Sequence, residues 1–166
     1  MKSYQWSRAT AASGSYTNIP DATESTYTLT GDDLGKFVKV TVTWSKTGNA
    51  DTPKLSSATV AITAGTFVTT ATPTIDGTPA VGSFLTANEG AWSPTPDSYT
   101  YKWMSSATSG GTYTAISGAT QRTYLLLETD QSRFLKVIIT AVKTGYTTSA
   151  QFTSGPTNAI AQLAPQ

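Results

Sequence analysis

The chain has 166 residues, a formal net charge of +1, only 13% charged residues, and neither histidine nor cysteine. This composition excludes disulfides, thiolate metal sites and any catalysis that needs Cys or His. The Lys and Arg residues are too scattered to bind nucleic acid, and no apolar run approaches the roughly 18 residues of a membrane span. We therefore expect neither nucleic-acid binding nor membrane insertion.

An all-β fold is predicted for the whole chain, which contains 33 Thr and 18 Ser and no stretch of helix formers at helical spacing. The first strongly alternating run is FVKVTVTW, from Phe37 to Trp44, in which Val and Trp alternate with Lys and Thr. Such alternation is typical of an antiparallel sheet with one buried face. Asp33, just before this run, is predicted to cap a corner.

Beyond residue 72, further strands are predicted around residues 74–75, 83–87, 99–103, 124–126 and 134–142, with a last strand inside 147–160. Gly, Ser and Asp clusters between these runs mark tight turns. Short strands separated in this way predict a sandwich of two sheets.

The chain also contains an internal repeat. Residues 4–48 align without a gap on residues 101–145, at an offset of 97, with 19 identities in 45 positions. Most matched residues are of core or turn type, so the alignment indicates duplication of one fold. The predicted core residues are Trp6, Tyr27, Leu29 and Val40 in the first copy, and Trp103, Tyr124, Leu126 and Val137 in the second.

The second copy contains several spaced motifs: G-x-x-x-V-G-x-x-L-T-A from Gly77 to Ala87, Trp92-x-Pro94-x-Pro96, Tyr101-x-Trp103, and a pattern of Gly, Tyr and Thr from Gly111 to Leu126, followed by Asp130. Together these motifs resemble the bacterial immunoglobulin-like (Ig-like) repeats, which occur in tandem in surface proteins, notably of actinobacteria, and are also carried on phage virion proteins. The resemblance implies two tandem Ig-like antiparallel β-sandwiches without the cystine of antibody domains. It does not imply a ligand.

The domain boundaries follow from the repeat. We expect an incomplete Ig-like domain over 1–64, a linker over 65–72, a complete Ig-like domain over 73–162 and a tail over 163–166. Only three residues precede Tyr4, whereas 28 residues separate position 72 from Tyr101. The first domain is therefore expected to lack its two opening strands.

Three interpretations of these missing strands stay open. The chain could be a piece of a longer repeat array, a neighbouring subunit could complete the first domain by strand addition, or the first copy could fold in a reduced way with its own linker. Phe67, Val68 and Ile160 are the candidates for strand donation, since they lie in short apolar segments outside the repeat.

The sequence favours a non-catalytic role, with no catalytic residue, no metal site and no cofactor expected. Trp92, Tyr146 and Trp44 are the candidates for contact with a ligand or partner, because exposed aromatic side chains near loops can anchor a protein or stack on a sugar. We expect a spacer or adhesion module on a bacterial surface or phage virion, with neighbouring Ig-like repeats, identical subunits or cell-surface glycan as partners. The alternatives are a self-assembling virion or fibre subunit and a carbohydrate-binding module.

Overall fold

The computed structural model describes residues 1–69, 72–147 and 151–162. Within these ranges the regular elements are β-strands and two short 3-10 turns, Gly31–Asp33 and Glu128–Asp130, and the strand pairs are antiparallel. The predicted all-β antiparallel fold is therefore confirmed. The chain divides into two compact units, Met1–Gly65 and Thr66–Gln166, called the first and second unit below. The predicted tail, 163–166, lies outside the described residues.

The first unit is a single four-stranded sheet in the order β2-β1-β3-β4. Its strands are β1 (Lys2–Ala9), β2 (Thr17–Asn18), β3 (Phe37–Trp44) and β4 (Thr52–Leu55). The alternation of Val with Lys and Thr in β3 gives this sheet one apolar face and one polar face.

The second unit contains sheets in the orders β10-β9-β12-β13, β11-β7-β6 and β5-β8. Its strands are β5 (Val68–Thr69), β6 (Thr74–Asp76), β7 (Phe84–Asn88), β8 (Trp92–Ser93), β9 (Ser98–Ser106), β10 (Thr114–Ala115), β11 (Thr123–Leu125), β12 (Phe134–Val142) and β13 (Gln151–Thr153).

One core holds the layers of the second unit together. It joins residues of the four-stranded sheet to residues of β7, and its buried members are Leu85, Ala87, Trp103, Leu126, Leu135, Val137, Ile139 and Ile160. Because both sheets contribute side chains to this core, the second unit is a two-layered β-sandwich.

The central strand pairs of the two units share one register. In the first unit β1 and β3 pair from Lys2 with Trp44 to Ala9 with Phe37. Adding 97 to each number gives the pairing of β9 with β12 in the second unit. The duplication seen in the sequence is therefore reproduced residue by residue in the sheet.

The structure extends the duplication beyond residue 48. Ser56 donates its backbone N–H to the Val40 carbonyl at 2.9 Å and accepts the Val40 N–H on its hydroxyl at 3.0 Å. Ser154 makes both bonds to Val137, at 3.0 Å each. The offset between these serines is 98, so one additional residue in the second unit hides this part of the repeat from a gap-free alignment.

The segment from residue 65 to residue 72, predicted to be a linker, contributes partly to the second unit. Val68 pairs with Ser93 in the short ladder between β5 and β8, and Phe67 is buried. Thr70 and residue 71 lie outside the described residues. The last predicted strand, within 147–160, is regular only over β13, and residues 148–150 also lie outside the described part.

The two equivalent tryptophans provide a test of this architecture. Trp103 is fully buried and Trp6 is half-buried. We predict that Trp103→Ala lowers the free energy of unfolding by about 3–5 kcal/mol, through lost burial and a cavity. Trp6→Ala should cost only about 1–2 kcal/mol, because part of the indole is already in contact with water.

Both costs can be measured by chemical denaturation of the full chain, followed by tryptophan fluorescence and far-UV circular dichroism. A cost below about 1 kcal/mol for Trp103→Ala would contradict its place in the core.

Candidate functional site

One face of the first unit stands out because its counterpart in the second unit is covered. The register places eight side chains on this face, here called the open face: Lys2, Tyr4, Trp6, Arg8, Val38, Val40, Val42 and Trp44. The matching positions in the second unit, here called the covered face, are Tyr99, Tyr101, Trp103, Ser105, Leu135, Val137, Ile139 and Ala141.

The two faces differ sharply in exposure. On the covered face Val137, Ile139 and Ala141 are each 0% exposed. On the open face Val38 is 1% exposed, but Val40 and Val42 are only half-buried and Trp44 is 46% exposed. Each copy therefore has the same apolar strand pair, but in the first unit part of this surface remains accessible.

The predicted core residues of the first unit lie on or beside the open face. Trp6, Tyr27 and Val40 are half-buried, and Leu29 is 49% exposed. Their counterparts Trp103, Leu126 and Val137 are buried, and Tyr124 packs against the same core. These four predicted core residues are therefore only partly covered in the first unit, in contrast to their counterparts in the second.

The open face is nevertheless held in the geometry of the covered one. Trp6 donates its indole N–H to the Glu24 carbonyl at 2.9 Å, and its ring centroid lies 5.7 Å from that of Tyr27. In the second unit Trp103 makes the equivalent bond, also at 2.9 Å, and lies 5.6 Å from Tyr124. The indole of Trp6 therefore has the same arrangement as that of Trp103, although it is only half-buried.

A buried carboxylate fixes the corner beneath this ring pair. Asp33 accepts hydrogen bonds from the Tyr27 hydroxyl and the Thr30 backbone N–H, each at 2.8 Å. The Tyr124 hydroxyl donates to Asp130 at 3.0 Å in the same way. Asp33 therefore caps the corner, as the sequence predicted.

Arg8 distinguishes the corner of the first unit from that of the second. Its Nη1 donates to Asp33 Oδ1 at 2.9 Å, and its Nη2 lies 3.7 Å from Asp32 Oδ2. In the second unit the matching position is Ser105, which accepts a hydrogen bond from Arg133 Nε instead. One end of the open face thus contains an arginine that the covered face lacks.

The pKa of Asp33 reflects this arrangement. Burial by itself raises the pKa of the carboxyl, but the hydrogen bonds from Thr30, Arg8 and Tyr27 to the ionised form outweigh burial and hold the pKa below its usual value. The guanidinium has a correspondingly raised pKa, chiefly through its hydrogen bond to Asp33.

The opposite end of the open face contains a lysine between two aromatic rings. Lys2 Nζ lies 5.3 Å from the centroid of the Tyr4 ring and 5.6 Å from that of Trp44. The salt bridges of the described residues do not include Lys2. Among the described residues, the contacts recorded for its ammonium group are these two cation–π contacts.

The corresponding end of the covered face contains a carboxylate. Tyr101, the counterpart of Tyr4, donates its hydroxyl to Glu89 Oε1 at 2.5 Å, and Arg122 Nε donates to the same oxygen at 2.8 Å. Burial and then the bond to the Glu89 carboxylate raise the pKa of Tyr101 to about 12. Glu89 directly follows β7, whose residues cover this face, so the carboxylate of the ion pair belongs to the layer that covers the face.

Two of the predicted contact residues belong to an aromatic cluster of the second unit. Trp92 is half-buried and lies 5.0 Å from Phe152 and 5.8 Å from Phe67, in both cases edge to face. Tyr146 lies 5.1 Å from Phe67. Because the indole of Trp92 already packs against neighbouring aromatic rings, its position does not favour stacking on a sugar.

The three candidates for strand donation also lie in the second unit. Phe67 is buried in the aromatic cluster and Ile160 in the core, whereas Val68 is 60% exposed in β5. Phe67 and Ile160 therefore already pack within their own unit.

No protein-family model matches the sequence, and no curated protein matches it. Across residues 1–69, 72–147 and 151–162, no three carboxylates come together as a metal site would require. Within the same ranges, no helix is long and apolar enough to cross a membrane.

The charged ends of the open face were not predicted from the sequence. Lys2 and Arg8 occupy alternate positions of β1 with Tyr4 and Trp6, and the same alternation that predicted the β3 face would have assigned all four to one side. The difference between the copies could have revealed these positions: the first copy has Lys2 where the second has Tyr99, and Arg8 where the second has Ser105.

The Arg8–Asp33 pair predicts a pH effect on stability. Because the pKa of folded Asp33 lies below its unfolded value of about 3.9, the pair stabilises the first unit fully above that pH and loses its effect as pH falls through the folded pKa. Arg8→Ser should therefore cost about 1–3 kcal/mol at pH 7, and the difference from the parent chain should narrow in acid.

The measurement is the free energy of unfolding of both chains between neutral pH and pH 2. Arg133→Ser serves as the control, because that guanidinium donates to Ser105. A difference between parent and Arg8→Ser that stays constant down to pH 2 would argue against the pair.

Proposed function

We propose that this chain is a non-catalytic structural and adhesion module, built from Ig-like repeats of a bacterial cell-surface or phage virion protein, and that the open face is its contact surface. The observation that carries the proposal is that an apolar face is held in the geometry of the covered face while part of its surface is accessible. Large accessible apolar patches on folded proteins are typical of interaction sites.

The kind of partner follows from the shape and chemistry of this face. It is a β-sheet surface with valines and a tryptophan at its centre and a cation near each end. Such a surface complements apolar protein segments better than it complements a sugar, which needs an exposed ring and several convergent polar groups. Protein contact is therefore favoured over glycan contact.

A pair of neighbouring substitutions tests this role. Val40→Asp places a charge on the open face, and Thr41→Asp places the same charge on the opposite face of the same strand. We expect the full chain to bind the apolar dye ANS, the Val40→Asp variant to lose at least about half of this signal, and the Thr41→Asp variant to keep it.

Urea unfolding of both variants should be measured in parallel, so that a loss of fold is not mistaken for a loss of surface. If the parent chain binds no dye, or if the two variants behave alike while folded, the open face is not the contact surface.

A further inference from the structure

The second unit shows what kind of segment covers this type of face. Leu85 and Ala87 of β7 are 1% and 0% exposed and pack in the core with Trp103 and Val137. β6 pairs with the far side of β7 from Thr74 with Asn88 to Asp76 with Thr86. A two-stranded segment, 74–88, thus provides most of the second layer.

This segment is anchored along β11, which has an unpaired counterpart in the first unit. In the second unit Tyr124 pairs with Leu85, and Leu126 donates its N–H to the Ser83 carbonyl at 2.9 Å. Residues 26–29 have the matching sequence in the first unit, but no strand pairs with them in the part of the chain that the structure describes. Their backbone is therefore available as a strand edge.

A second anchor lies at the end of the repeat. Ala161 donates its N–H to the Pro79 carbonyl at 2.8 Å and accepts the Val81 N–H at 3.0 Å. At the offset of 98 its counterpart is Thr63, which has no such strand beside it among the described residues. The first unit thus offers two places where the backbone of a covering segment can bind.

The charges of the open face complement the end of such a segment. In the second unit Glu89 binds the Tyr101 hydroxyl and is neutralised by Arg122. The position equivalent to Arg122 is Ser25 in the first unit, but Lys2 lies against the ring of Tyr4. A carboxylate in the place of Glu89 would therefore meet a tyrosine hydroxyl and an ammonium group.

One part of the covering segment has no equivalent role in the first unit, namely the tryptophan that follows its acidic residue. In the second unit Trp92 packs on Tyr99, which pairs with Ala141. The first unit has Lys2 and Trp44 at the matching positions, so it already contains an indole at this end of the face. A suitable segment therefore needs no tryptophan after its acidic residue.

We propose that the open face binds a β-hairpin of a second polypeptide, with apolar inward residues in the places of Ile75, Leu85 and Ala87 and a carboxylate in the place of Glu89. This inference rests on the proposed role of the open face as a contact surface. The β1–β3 pair, the Trp6 ring and the Asp33 corner have the geometry of their counterparts in the second unit although no hairpin covers them, so the open face is shaped to receive one.

The probe is a labelled synthetic peptide with the sequence of residues 73–92 and Trp92→Ala, titrated into the full chain and followed by fluorescence anisotropy. We expect saturable binding with a dissociation constant of about 1–100 μM. The same peptide with Leu85→Asp should bind at least about tenfold more weakly, because the change puts a charge into the core.

Chain variants locate the binding site. Val40→Asp should weaken binding at least about tenfold, whereas Thr41→Asp, on the opposite face, should leave it unchanged. Lys2→Ala and the peptide change Glu89→Gln should each weaken binding by about two- to tenfold, and together by no more than either alone, because both remove one interaction. Additive losses would overturn the placement of the carboxylate.

A covalent graft tests the fit independently of affinity. When residues 73–97 of this chain are placed directly before residue 1, the spacing of the second unit is reproduced, and the first unit should unfold at higher urea concentration. The same graft with Leu85→Asp should give a smaller shift. No shift with the unchanged graft would overturn the hairpin.

The outcomes separate this inference from the proposed function. Dye binding to the open face without peptide binding would overturn the hairpin and leave the contact surface in place. A graft that stabilises the first unit, with no peptide binding at millimolar concentration, would overturn supply by a second polypeptide. Absence of both dye and peptide binding would remove both proposals.

Discussion

A β-sheet with one apolar face gains most of its stability in water from a second layer that covers that face. In the second unit this requirement is met by β7 and its neighbours, which bury Trp103 and the inner residues of β12 completely. The first unit has the same strand pair in the same register but not this layer. Its charged residues and its corner therefore have to be considered together with a sheet that is incompletely covered.

The open face is bounded by charge. Lys2 and Arg8 lie near its two ends, and both belong to β1, so the apolar centre of the face has a cation on either side along this strand. The cost of placing Arg8 there is offset by Asp33, whose carboxylate also holds Tyr27 and the backbone of Thr30. One buried anion therefore connects the end of the face, the corner and the aromatic ring that supports Trp6.

The predictable parts of this molecule are those fixed by local alternation and by the repeat. The residues of β12 alternate between buried and half-buried positions as its sequence indicates, and the two corners follow from one pattern in both copies. The alternation also assigned Trp44 to the inner face, but it is 46% exposed because burial depends on a layer that alternation cannot detect.

Contacts between distant segments were harder to predict. Phe67 lies in the predicted linker, and it is buried because the rings of Trp92 and Tyr146 pack against it. The match of Ser56 with Ser154 was hidden because the second copy has one more residue than the first before this serine. In both cases the feature depends on contacts between distant segments, which neither the alternation nor the composition of the sequence can show.

The serine and threonine hydroxyls that follow β4 have an effect on how copies of this fold can associate. Ser56 and Thr59 use side-chain oxygens, in place of strand carbonyls, to accept the N–H groups of Val40 and Val38, and the chain that bears them is not a regular strand. A foreign strand that approached beyond residue 55 would find no continuous ladder to extend. On this flank, strand addition to the sheet is therefore confined to the four exposed residues of β4.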